Sequence, residues 1–348
     1  MKGGKGLSEQ INELFQQSQN EFIAAVRDGR EQEIARSISL LEDKSPLSRE
    51  IMKQLYQNFN KPYIIGITGP AGSGKSSLLN LMLKEWLKEP ELKIAVIAVD
   101  PTSQRSGGAF LGDRIRMKDI NNDQRIFIRS MASRGKMGGV NSAVYDTAVI
   151  MAAAGYEMIV IETVGVGQTE IDVVSLADTT LVVTVPEAGD EIQIFKSELM
   201  EVGDIFILNK DDLPRAAKME VLLKSNFSLI ETEKLNRKNE YESKGSWQSV
   251  LLKTSVLNNH GIKDLVKAVE NHYNYLRNNN ILEQNKKLQL KKHLLNLLQS
   301  EILEKIILEF DQEDKLDKYL RDILSGEASP YQLIEEFIDK NLTIQVDL

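Results

Sequence analysis

The sequence predicts an α/β protein: a mostly parallel, doubly wound sheet carrying a phosphate-binding loop, with helices at both chain ends. Three observations predict it. From Tyr63 to about Glu270, short β-branched runs alternate with helical stretches. Most of those runs are apolar on both faces, the mark of buried parallel strands rather than half-exposed antiparallel ones. The loop after the first run is rich in glycine and opens a helix.

The elements follow in order. Leu14, Phe15, Phe22, Ile23 and Val26 fall at helical spacing until Asp28-Gly29 breaks the run, and a second helix from Glu31 to Leu41 buries Ile34, Ile38 and Leu41. Together they read as a helical cap on the next domain. Strands are expected over Tyr63–Thr68, Lys93–Val99, Arg125–Arg129, Met158–Glu162, Thr180–Val185 and Ile205–Leu208, with helices at Gly74–Leu87 and Val140–Ala154. After Asn271 the chain is helical and charge-rich. Leu294, Leu295, Leu298, Ile302, Ile306 and Phe310 form an apolar stripe. That stripe packs on its own domain or on a second subunit, and the subunit contact is the reading adopted. Lys286, Lys287, Lys291 and Lys292 read as a solvated face. A last helix starts at Ser329-Pro330-Tyr331-Gln332, with serine as N-cap and glutamine reaching back. The expected organisation is a helical region over 1–61, an α/β domain over 62–270 and a helical region over 271–348.

Composition closes several classes of chemistry. The 348 residues carry 43 basic and 51 acidic side chains, a net charge of −8 that points to neither nucleic acid nor an anionic membrane. Cysteine is absent, which excludes disulfides, thiolate nucleophiles, iron–sulfur clusters and Cys-based zinc sites. The histidines His260, His272 and His293 are too scattered to suggest a metal cluster. No apolar stretch follows the charged start, and Ala148–Gly155 is far short of a membrane span, so a cytoplasmic location is expected.

Gly69-Pro70-Ala71-Gly72-Ser73-Gly74-Lys75-Ser76 matches GxxxxGK[ST] between a strand and a helix, the context that motif requires. Its glycines let backbone N–H groups of Gly69 to Ser77 face phosphate oxygens at a helix N-terminus. Lys75 would reach the β- and γ-phosphates and Ser76 would bind Mg²⁺. Asn209-Lys210-Asp211-Asp212 follows a buried strand and reads as NKxD. Asp212 would accept two hydrogen bonds from guanine, whereas adenine lacks that donor pair and would leave the carboxylate unpaired. Thr254-Ser255-Val256 follows Val250–Lys253, and Ser255 and Val256 are candidates for backbone contacts to the base.

Carboxylates end predicted strands at Asp100 and Glu162, and Asp113 lies in the intervening glycine- and arginine-rich loop. An open α/β sheet presents its ligand site at such strand ends. One or two of the three should hold Mg²⁺, directly or through water. Glu162-Thr163-Val164-Gly165 occupies the place of a Walker-B segment with a γ-phosphate-sensing glycine, Gly165, although glutamate replaces the commoner aspartate. Two further loops, Ser133–Gly139 and Pro186–Lys196, are expected at the nucleotide face.

These segments resemble the MeaB/ArgK GTPases, which accompany adenosylcobalamin-dependent methylmalonyl-CoA mutase. The matching stretches are GITGPAGSGKSSLL, VDPTS, LGDRIRM, SRGKMGGV, ETVGVGQTE, PEAGDEIQIFK and NKDD, with similar helical flanks in AAVRDGREQEIARSISLLED and SGEASPYQLIEEF. The resemblance implies a homodimer joined by C-terminal helical arms, slow GTP hydrolysis until the mutase binds, and gating of cobalamin delivery from an adenosyltransferase. It further implies that Asp100, Asp113 and Glu162 organise Mg²⁺ and the catalytic centre, served by Lys75, and that Gln193 and Lys196 are responsive positions of a switch facing the mutase. Two departures stand out: Glu187 follows Pro186 where glycine is common, and Glu231–Ser246 is long and polar. Rival readings are a kinase of the transport-system type, a nickel-insertion GTPase of the same P-loop branch, and a non-catalytic nucleotide-gated scaffold.

Overall fold

The computed structural model describes residues 18–57, 60–101, 123–133, 139–163, 175–186, 203–237, 247–311 and 315–341. The six runs expected as strands are strands, β1 Tyr63–Thr68, β2 Ile94–Pro101, β3 Ile126–Ser133, β4 Met158–Thr163, β5 Thr179–Thr184 and β6 Ile205–Asn209, and Val250–Thr254 adds β7. Hydrogen-bonded neighbours run in the order β3-β2-β4-β1-β5-β6-β7, and every pairing is parallel.

Alternation along each strand builds two cores. Ile64, Ala95, Ile97, Ile159 and Ile161 face one side, while Ile65, Ile67, Val96, Val160 and Val183 face the other. On the first side lie α1 (residues 18–27), α2 (Glu31–Glu42), α3 (Pro46–Leu55) and α5 (Gly139–Ala153). On the second lie α4 (Lys75–Trp86) and α7 (Ile262–Asn278). The N-terminal helices thus share a core with the sheet through Ile23, Val26, Ile34, Ile38 and Leu55, packing against Ala148, Val149 and Ala154 of the α5 region. Apolar residues on both strand faces are what this three-layer arrangement demands.

Helix α6 covers Ala216–Arg237, so the polar stretch that begins at Glu231 starts as helix. Helix α8, Ile281–Asp311, is followed by α9, Lys315–Leu324, and α10, Pro330–Asn341. By contacts the chain forms two compact units, Met1–His293 and Leu294–Leu348. In the second, the stripe residues Leu294, Leu295, Leu298 and Ile302 are exposed, with Leu316, Leu320 and Leu324 of α9. Ser329 caps α10 as expected: its Oγ accepts from Gln332 N at 3.2 Å and Gln332 Oε1 accepts from Ser329 N at 3.1 Å.

One sequence expectation is corrected. Lys286 is not on a solvated face; it is buried and ion-paired to buried Asp178 at 2.6 Å. Its neighbours Lys287, Lys291 and Lys292 are exposed. A long stem and a partner carboxylate outweighed the expectation for a lysine run.

Candidate nucleotide site

Strand β1 lies where chain order reverses, with β4 and β2 on one side and β5 and β6 on the other. A ligand crevice belongs at the carboxyl ends of the strands beside such a point. There β1 runs into the glycine-rich loop and on into α4. Gly69, at φ 144°, sits so close to β5 that a Cβ on it would stand 2.1 Å from Val183 O. Gly74, at φ 88°, is the N-cap of α4 and has no side chain to cap the first-turn N–H groups of the helix. A helix start of this kind binds anions. Lys75 Nζ, buried, donates to Gly69 O at 2.7 Å and Pro70 O at 3.0 Å, which holds the ammonium over the loop. Ala71, Gly72 and Ser77 are exposed beside it, and Ser73 is buried.

Ser76 and Glu162 meet. Ser76 Oγ donates to Glu162 Oε1 at 2.5 Å, and Glu162 is buried at the end of β4, opposite Ile67 and Ala98 in the ladders. A hydroxyl and a carboxylate at a helix N-terminus form a hard oxygen set suited to Mg²⁺. Asp100 follows Val99 in β2, which pairs with Thr163, so its backbone lies at the same edge of the sheet. Asp113, Gly165, Gln193 and Lys196 lie outside the described residues.

The NKxD and Thr254-Ser255-Val256 segments come together because β6 and β7 are paired, with Asn209 opposite Thr254. Asn209 Nδ2 donates to Ser73 O at 2.8 Å, tying the base-side segment to the phosphate loop. Its Oδ1 accepts from Thr254 Oγ1 at 3.1 Å. Asp211 N donates to Thr254 O at 3.1 Å. Ser255 Oγ donates to Asp212 Oδ1, which fixes one face of that carboxylate. Lys210 takes a left-handed φ of 58°, turning the chain out of β6. Val256 stands next, half-buried.

The sequence reading missed two members of this cluster. Thr254 contributes a side chain as well as a strand end, placed by the ladder register that aligns it with Asn209. His260 returns as an antiparallel bridge to Ser255, and its Nδ1 stands 3.2 Å from Asp211 Oδ2. Gly261 makes that return possible, since its φ is 76° and a Cβ there would lie 2.1 Å from Lys253 O.

Comparison with known proteins agrees with this geometry. A family described as methylmalonyl-CoA mutase-associated GTPase MeaB matches residues 34–311. GTPase ArgK of Escherichia coli is 32% identical over 309 residues, covering 87% of this chain and 89% of its own. A Caenorhabditis elegans protein named methylmalonic aciduria type A homolog, mitochondrial, is 26% identical, over 91% of this chain and 81% of its own. The crystal structure of a LAO/AO transport system kinase superposes with a TM-score of 0.66 at 25% identity, over 94% of this chain and 98% of that one. With a phosphate loop, a joined NKxD clasp and a family match across most of its length, the chain belongs to the MeaB family of GTPases.

Proposed function

We propose that this GTPase is a cytoplasmic chaperone for an adenosylcobalamin-dependent acyl-CoA mutase of the methylmalonyl-CoA mutase type. In this reading it gates cofactor loading and protects or reactivates the mutase. The observation that carries the partner is the family match over residues 34–311, whose description names that mutase. A cobalamin adenosyltransferase is the further partner this role calls for.

The roles proposed for single residues rest on the sequence motifs, with the geometry above in support for Lys75, Ser76, Glu162, Asn209, Asp212 and Ser255. Backbone N–H groups from Gly69 to Ser77 cradle the phosphates, and Lys75 neutralises charge on the β- and γ-phosphates as water attacks. Ser76 and Glu162 are the oxygen ligands proposed for Mg²⁺, with Asp100 and Asp113; Mg²⁺ supplies charge neutralisation when bound. Asn209 holds the phosphate loop beside the base, Lys210 covers it, and Asp212, held by Ser255 with Val256 adjacent, reads guanine. Gly165 senses the γ-phosphate, and Gln193 and Lys196 relay the state to the mutase. The exposed apolar stripe of the second unit is the proposed homodimer contact.

The deciding experiment is co-purification of the chain, loaded with a GTP analogue, with a cobalamin-dependent mutase, followed by hydrolysis assays on the recovered pair. The mutase is expected to bind and accelerate phosphate release, and Lys75→Ala to abolish it. Neither binding nor acceleration by any such mutase would overturn the chaperone reading. The name of the structurally similar transport-system kinase motivates a second reading. Transfer of the γ-phosphate to a protein rather than to water would establish it in place of the first.

A further inference from the structure

The first turns of α8 are amphipathic in the wrong sense. Lys286, Gln289 and His293 share one helical face and are buried, whereas Leu288 and Leu290 are exposed. From Lys286 to His293 polar side chains dock the helix while Leu288 and Leu290 are exposed; at the helix start Ile281 and Leu282 pack on the core.

The docking has two sites. At the first, Lys286 Nζ donates to Asp178 Oδ2 at 2.6 Å and Gln289 Nε2 donates to Asp178 Oδ1 at 3.1 Å. The same carboxylate accepts Ile64 N at 2.8 Å, and Asp178 N donates to Ile64 O at 2.7 Å. At the second, His293 Nε2 lies 3.0 Å from Asp146 Oδ1, off the line of a good hydrogen bond. The His293 ring stacks on Tyr145 at 4.3 Å, and Tyr56 donates to the same Asp146 oxygen at 3.2 Å.

Stability alone does not require this chemistry. Replacing a buried ion pair with apolar groups of similar volume is often neutral or stabilising, and Leu288 stands on the opposite face of the same helix. Burial pushes the Asp178 carboxyl up and the Lys286 ammonium down, both toward the neutral forms, so desolvation works against the pair that their attraction maintains. Polar docking has a different property: the parted surfaces are readily hydrated, so separation exposes little apolar area. It also fixes one register.

Asp178 is placed to register a change at the nucleotide. It brackets the starts of the adjacent strands β1 and β5. The far ends of the same two strands meet at the phosphate loop, where Gly69 packs on Val183 O. The pair is therefore clamped at both ends, by the phosphate loop above and by the Asp178 bracket below.

We propose that Lys286 and Gln289 are positioning residues that make the docking of α8 depend on the bound nucleotide: a shift of β1 against β5 at the phosphate loop is read at Asp178 as a firmer or looser hold on the helix. This rests on the phosphate-loop assignment above.

Hydrogen exchange of the full chain, with GDP and with a non-hydrolysable GTP analogue, tests it. Peptides covering 281–293 are expected to exchange at rates differing by about threefold or more between the two states. Lys286→Met with Asp178→Asn removes both charges together, and should keep GDP affinity within about twofold while erasing that difference. The absolute protection of α8 is what a merely structural pair would alter; its dependence on nucleotide is what the coupling predicts. Equal exchange in the two states of the wild-type chain overturns the coupling, and this arm needs no variant to fold. A difference that survives the double substitution overturns the assignment to these residues. Failure to bind GDP at all overturns the phosphate-loop assignment first, so the two failures are told apart.

Discussion

Gly74 carries two constraints at once. Its φ of 88° is costly for any L side chain, and a Cβ there would lie 2.6 Å from Asn209 Nδ2, the group that ties NKxD to the phosphate loop. Gly72 has nearly the same φ, 77°, but open space around it. Both Gly→Ala substitutions therefore incur the left-handed backbone cost of about 1–2 kcal/mol, and only Gly74→Ala also displaces Asn209. Gly74→Ala should weaken GDP binding at least about tenfold more than Gly72→Ala, equivalent to about 1.4 kcal/mol of binding free energy. Titration calorimetry on the two variants decides it, and equal losses would show that the Asn209 contact is dispensable. Much at this level was readable beforehand. Lys75, Ser76, Asn209 and Asp212 were singled out by spacing alone, because phosphate and guanine recognition need fixed residue types at fixed chain positions. Asp178 with Lys286, and Thr254 on Asn209, were not, because their partners are separated by 108 and 45 residues and only the fold joins them.

Strands and helix ends were read about equally well, with the helices expected over Gly74–Leu87 and Val140–Ala154 found at Lys75–Trp86 and Gly139–Ala153. A buried parallel strand is apolar on both faces, so β1 matched its expected span from Tyr63 to Thr68 residue for residue, and β4 to within one. Most other strands gained or lost a residue or two at an end, where the ladder rather than composition sets the limit. The α10 start was legible for a different reason: serine, proline and glutamine at fixed offsets satisfy the orphan N–H groups of a first turn. Helix α8 was misread at Lys286 because the lysines looked like solvent chemistry, and its inward polar face has no signature in hydrophobic periodicity. The α10 cap has its own test. Ser329→Ala removes the hydroxyl that Gln332 N uses, at a local cost of about 1 kcal/mol. Amides over 330–341 should then exchange roughly fivefold faster in the full chain while those of β1 and β4 are unchanged. Unaltered exchange over 330–341 would mean that the cap contributes nothing to this helix.

The stability of the sheet as a whole has a pH dependence that one buried side chain predicts. His272 on α7 packs on Trp247 at 4.5 Å, and its Nδ1 stands 2.7 Å from Thr179 Oγ1 at the start of β5. Thr179 Oγ1 in turn meets the Tyr63 hydroxyl at the start of β1. Burial pushes the imidazole down to about 4 from its ordinary 6.5. Asp204 Oδ1 is 3.7 Å from Nε2, too far for a hydrogen bond, and Asp204 Oδ2 accepts Thr180 N at 2.8 Å, so the carboxylate does not reverse the burial effect. The folded chain therefore refuses a proton that the unfolded chain accepts. The contribution is fully present above pH 6.5, is lost as pH falls toward about 4, and does not change further below that. Between pH 7 and pH 5 this removes about 1 to 2 kcal/mol. His272→Gln keeps a polar group beside Thr179 and cannot titrate, so its loss over the same interval should be smaller by that amount. Urea unfolding of both proteins at pH 7 and pH 5 measures the difference, and parallel losses would show that His272 is already protonated in the folded chain at pH 5.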